Sequence, residues 1–137
     1  MEKRPTFLGL DEYEGDPDVV ILPISYELTT SYGQGTADGP MATIEASSQV
    51  EVFDSRLSQD LPAGRCFQTL APWSSESGTL IEQLAEIEDY LRPWLTNNDV
   101  FPLILGGEHG LLPIQMKAII SHPALEGSLS DLTIVQF

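Results

Sequence analysis

At 137 residues, with 42% hydrophobic and 8% aromatic side chains, the chain carries enough apolar material for one domain with its own core. Asp and Glu number 21 against 6 Lys and Arg, a formal net charge of -15. That balance argues against nucleic acid, which needs a basic patch, and suits a cationic small molecule, a metal ion or simple solubility. A single cysteine, Cys66, excludes an internal disulfide and a cysteine-built metal cage and fits a reducing, cytoplasmic setting. No run approaches the roughly 18 apolar residues that span a membrane, and the first ten residues lack the apolar core of a secretory signal.

In chain order, Asp11 to Asp18 is acidic, holds Gly15 and Pro17, and predicts an exposed lead-in. Val19-Val-Ile-Leu-Pro-Ile24 is a continuous apolar run of strand length, with Pro23 placing its last residues at an edge or just beyond regular pairing. Ser25 to Gly39 has no periodicity and predicts a long loop at that strand's carboxyl end, where loops of this length are commonly functional. Asp38-Gly39-Pro40 opens a helix through Met41, Ile44 and Glu45 toward Ser48, with Asp38 as candidate cap. Val50 to Phe53 and Cys66 to Leu70 are candidate strands separated by Asp60-Leu-Pro-Ala-Gly64.

Thr79-Leu-Ile-Glu82 has the spacing of a capping box, and Leu80, Leu84, Ile87, Leu91 and Trp94 recur at helical steps. An amphipathic helix is expected, ending or kinking near Pro93. A strand over Val100 to Leu105 follows, then a glycine-rich turn from Gly106 to Gly110, a helix through Leu112, Met116 and Ile119, and a last strand from Leu132 to Gln136. Strands alternating with helices predict an α/β fold, a three-layer α-β-α arrangement with a parallel sheet covered on both faces. No repeat or domain boundary interrupts it.

The residue that draws attention is His109. It follows an apolar run and a glycine pair, so it lies at the carboxyl rim of a predicted strand, where open α/β sheets place their ligands. A neutral imidazole there could bind a transition metal or only hydrogen-bond the backbone. His122, before Pro123, reads as a helix-end residue. Cys66 has no histidine beside it and reads as a small buried hydrophobe. The carboxylates at 11–18, and Glu82, Glu86, Glu88 and Asp89, read as solvated faces rather than metal clusters.

Four phrases in order, spanning nearly the whole chain, carry a resemblance. They are Thr6-Phe-Leu-Gly-Leu10, Val20-Ile-Leu-Pro-Ile-Ser-Tyr26, Thr29-Thr-Ser-Tyr-Gly-Gln-Gly-Thr-Ala-Asp-Gly-Pro40 with Ile44-Glu-Ala-Ser47, and Pro102-Leu-Ile-Leu-Gly-Gly-Glu-His109. Together they resemble the ureohydrolase (arginase and agmatinase) family, and within it the agmatinase branch. The resemblance implies an arginase/deacetylase-like parallel sheet and two Mn2+ ions at the carboxyl ends of its strands. It implies a metal-activated hydroxide that attacks a guanidinium carbon to release urea and an amine. It assigns His109 to one metal and Glu108 to support of the turn.

The chain departs from the family pattern in three places. The Asp-Ala-His-x-Asp phrase expected after Thr133-Ile-Val-Gln-Phe137 and a later Asp-x-Asp pair are absent, Gly110 stands where relatives commonly carry Ser, and residues 60–72 lack a Gly-Asp-Val phrase. The expectation is therefore that residues 1–137 are the N-terminal part of a single ureohydrolase-like domain, truncated after an early-to-middle strand. One histidine cannot hold a dinuclear centre, which needs at least about three protein ligands per metal. Two roles follow: an agmatinase-like amidinohydrolase by ancestry, inactive as this chain alone, or a non-catalytic remnant or interaction module that pairs with a full-length relative. The partners expected are a cationic guanidino small molecule and a homo-oligomer or complementary chain, with neither nucleic acid nor membrane.

Overall fold

The computed structural model describes residues 4–10, 13–75 and 78–135. The first predicted strand forms as β1 (Val19–Ile24), and the glycine-rich loop after it ends in a 3-10 turn over Thr36–Asp38 that runs directly into α1 (Gly39–Ser47). Asp38 adopts helical backbone angles and its side chain caps nothing. The turn supplies the acceptor instead, since the Gly39 N–H donates to the Thr36 carbonyl. Next come β2 (Phe53–Asp54) and β3 (Gln59–Asp60), a short antiparallel hairpin in place of the longer strand expected over Val50 to Phe53. β4 (Phe67–Thr69) falls inside the candidate stretch Cys66 to Leu70.

α2 (Leu80–Leu95) begins with the predicted capping box: the Thr79 hydroxyl accepts from the Glu82 N–H, and the Glu82 carboxylate accepts from the Thr79 N–H. Pro93 does not end it. The helix continues to Leu95, because a proline this close to the C-terminus removes one donor while the last turn closes behind it, with the Thr96 N–H on the Arg92 carbonyl. β5 (Phe101–Gly106) and α3 (Leu112–Ile119) follow, the latter entered through a 3-10 turn at His109–Leu111, and a further 3-10 turn at Pro123–Leu125 comes after it. No helix among the described residues is long and apolar enough to cross a membrane.

The sheet is parallel, in the order β4-β1-β5. β1 occupies the centre, so of the two places expected for Pro23, an edge or just beyond regular pairing, the edge is wrong and the second holds on the β4 side. Ladder groups alternate sides along a parallel strand, and Ile21 and Pro23 turn theirs toward β4. The Ile21 carbonyl accepts from the Leu70 N–H at 3.0 Å, and the Pro23 carbonyl from the Trp73 N–H at 2.9 Å. The missing proline N–H thus falls where β4 has already ended, while on the other side the ladder with β5 runs on to Ile24 and Gly106.

Right-handed crossovers distribute the helices. The step from β1 to β4 and the step back from β4 past β1 to β5 run in opposite directions, so their helices lie on opposite faces. α1 lies against β1 and β5 on one side, with buried Ile44. On the other, Val20, Leu22 and Ile24 pack with Ile87, Leu91 and Leu95 of α2 and with Leu111 and Ala118 from the α3 region. The three-layer reading therefore holds.

Two further sequence expectations do not. Residues Leu132 to Val135 form no strand, and Ile134 and Val135 stand exposed. An apolar run becomes a strand only by pairing, and this one has no ladder partner; Gln136 lies outside the described residues. Glu88 is not on a solvated face. It is buried between α2 and α3, where Arg92 and Lys117 neutralise its carboxylate.

Candidate functional site

β1 and β5 are neighbours whose carboxyl ends lead to opposite faces of the sheet, β1 to α1 and β5 to α3. Such a switch in connection direction opens a crevice above the strand ends, the place where open α/β sheets bind ligands. A cleft of about 370 Å³ lies there. Thr29, Thr30, Ser31, Tyr32 and Thr36 from the β1–α1 loop line one wall, and residues 107–110 line the other. His109 is exposed on that second wall, at the rim where the sequence places it.

Glycine is required for this approach. A Cβ on Gly107 would lie 2.1 Å from the Tyr26 carbonyl oxygen, so any side chain would force the two rims apart. A Cβ on Gly110 would come within 3.0 Å of the Glu108 carboxylate, and the departure from Ser at this position bears directly on that carboxylate.

Glu108 joins the walls. It is buried, its N–H donates to the Tyr26 carbonyl at 3.2 Å, and its carboxylate accepts from the N–H groups of Leu28 at 3.2 Å and Thr29 at 2.9 Å and from the Thr29 hydroxyl. Burial alone would raise its pKa, but these donors, with the Tyr26 hydroxyl, outweigh it and hold the carboxyl below the ordinary range. Tyr26 responds in the opposite sense: burial, then the Glu108 charge, pushes its hydroxyl up. Its ring packs against Trp73 at 6.3 Å between centroids.

Glu27 organises the rest of the loop, accepting from the N–H groups of Gly35 at 2.9 Å and Ala37 at 3.0 Å. Sequence reasoning missed Glu27. The available signal was an acidic residue heading a glycine-rich stretch, whose backbone donors need an acceptor.

The other candidates lie elsewhere. The His122 imidazole accepts from the Ala124 N–H at 3.1 Å, capping the 3-10 turn at Pro123–Leu125, as its sequence position suggests. Cys66 sits at the amino end of β4, on the rim opposite His109, where its N–H donates to Asp18 at 2.8 Å.

Among the described residues no three His, Cys, Asp or Glu side chains gather as a metal-binding group. Glu108 faces its own loop, which leaves His109 as the imidazole the cleft offers. These residues do not by themselves fit a dinuclear centre.

The chain is 32% identical over 125 residues to the N(1)-aminopropylagmatine ureohydrolase of Synechocystis sp., an alignment that takes in 88% of this chain and 39% of that protein. The chain thus spans well under half the length of this curated relative. The profile of the Arginase family matches residues 17–137. Cleft, switch point and His109 all fall within the matched residues, and the chain belongs to the Arginase family.

Proposed function

We propose that this chain forms the His109 wall of an amidinohydrolase centre that hydrolyses a guanidino compound, agmatine or an N-substituted agmatine, to urea and an amine. The observation that carries this reading is the position of His109, exposed in a cleft at the β1–β5 switch point of an Arginase-family sheet. In this reading residues 1–137 are the N-terminal part of one ureohydrolase-like domain. His109 supplies one donor toward a pair of manganese ions, and another stretch of polypeptide supplies the rest. The setting is cytoplasmic.

The test separates chain from site. The 137-residue chain with Mn2+ releases no urea from agmatine; supplied with a polypeptide carrying the rest of a relative's domain, it gains metal-dependent urea release, and His109→Ala removes it. Urea release by the chain alone, or unchanged manganese content and turnover in His109→Ala, overturns the reading. A second reading, an interaction module that pairs with a full-length relative, is favoured by the half-exposed apolar strand β5 at the sheet edge. Co-sedimentation with that relative in the absence of any turnover supports it.

A further inference from the structure

We propose that two copies of this chain pair through the open edge of β5, antiparallel and about a two-fold axis at Ile104, joining their three-stranded sheets into one. The pairing needs neither metal nor substrate and stands apart from the hydrolase reading. It begins from a difference between the two edges of the sheet. At β4 the chain covers its own edge: the Arg4 guanidinium donates to the Thr69 carbonyl at 2.8 Å, and the Phe7 N–H donates to the Thr69 hydroxyl at 3.0 Å. Along β5 no strand among the described residues pairs outward, and its residues carry no charge. An uncovered, uncharged edge is a template for another strand.

The outward row of β5 complements itself. The Phe101 N–H donates inward, to the Asp18 carbonyl, so alternation turns the backbone groups of Pro102, Ile104 and Gly106 outward, less the N–H that proline lacks. With Ile104 opposite Ile104 of the second copy, these two residues exchange both hydrogen bonds, and each Gly106 N–H reaches the Pro102 carbonyl across the join. Every outward N–H of the strand then has an acceptor, and the proline leaves unmatched only a carbonyl, the more tolerable orphan. Leu103 falls opposite Leu105 of the second copy, an apolar cross-strand pair. Charge points the same way. Each chain carries -15, and β5 is a stretch where two such chains meet without setting carboxylate against carboxylate. Because Arg4 and Phe7 close each β4 edge, growth stops at two copies. A join one short strand long covers less than the roughly 800 Å² per partner of a standard interface. The dimer is therefore weak and comes apart at the concentrations of an unfolding experiment, about 10 µM and below.

The test is sedimentation equilibrium of the 137-residue chain from about 10 µM to about 1 mM. The average mass should rise toward that of a pair, and further at about 0.5 M salt than at about 0.02 M, where repulsion between the two acidic chains is least screened. At the higher concentration the Ile104 and Gly106 amides should exchange more slowly, and a half-labelled sample should give an intermolecular NOE between the α-protons of Leu103 and Leu105, which face each other in this two-fold register alone. Ile104→Pro removes an N–H that no strand within the chain uses, in a row that already accepts Pro102. It should weaken the dimer at least about tenfold by deleting both bonds at the axis, while the Val20 and Leu22 amides keep their protection. A single-chain mass up to about 1 mM overturns the proposal, whether the edge is then protected by the chain's own residues or taken by a relative's polypeptide. So does a dimer that Ile104→Pro leaves unchanged, one that salt weakens, or a mass that climbs past two copies. Should Ile104→Pro fail to fold, the NOE decides alone: its absence from a demonstrated dimer overturns the pairing.

Discussion

β1 and β5 are adjacent apolar strands of the same length, and they meet opposite fates. In β1, Val20, Ile21, Leu22 and Ile24 are wholly inaccessible to solvent, flanked by a strand on each side and helices on both faces. In β5, Phe101 is 65% exposed and the four residues after it are only half-buried. The Phe101 N–H points to β1, donating to the Asp18 carbonyl at 2.8 Å, so alternation turns the N–H and C=O of Ile104 to the open side. Pro102, which lacks an N–H, sits in that same outward row, where a missing donor disturbs no ladder. β5 carries no charged side chain to discourage pairing. An apolar run is a demand for neighbours, and topology decides whether they arrive.

The comparison can be broken by truncation. Leu22→Ala should cost about 2–5 kcal/mol in denaturant unfolding, as large-to-small changes in closed cores do. Ile104→Ala, at a half-buried site, should cost about half as much, since less surface returns to water. Equal losses would show that β5 is covered in solution.

Next in size is the clamp between the two rims. Glu108→Ala strips the Leu28 and Thr29 N–H groups of a charged acceptor and should cost about 1.5–3 kcal/mol, with faster hydrogen exchange at these two amides. Retained protection there would mean that something else holds the loop.

The smallest effects lie far from both strands. Thr79→Ala, which removes the hydroxyl half of the α2 capping box, should cost about 1 kcal/mol. The Thr79 N–H, then its hydroxyl, hold the Glu82 carboxyl below its ordinary range. A depressed folded pKa gives stability that is complete above the unfolded pKa and is lost as pH falls through the folded value. Acid titration followed at the Thr79 amide should therefore show its inflection below the ordinary glutamate range, and an inflection at or above that range refutes the cap as drawn.

Which parts were legible in the residues follows the range of the forces involved. The capping box, the amphipathic stripe of α2, the glycine-rich turn and the rim position of His109 all depend on neighbours within a few positions, and all appear where the sequence puts them. The phrases that resemble ureohydrolases are equally local, and the family they indicate is the one that the comparisons show. The solvated reading of Glu88 and the edge reading of Pro23 fail for one shared reason. Their partners, Lys117 on α3 and the end of β4 beside Trp73, are remote in sequence, and no local pattern announces them.

By itself, then, the sequence determined the element types, the helix start at Thr79, the family and the histidine at the strand end, because propensity, capping and apolar period act over short spans. Only the tertiary structure decided the strand order, the central place of β1, the open side of β5, the failure of Leu132 to Val135 to become a strand, and the Glu108 bridge that closes one rim on the other. Each of these rests on contacts between distant segments, which form only when crossover handedness and close packing bring the segments together.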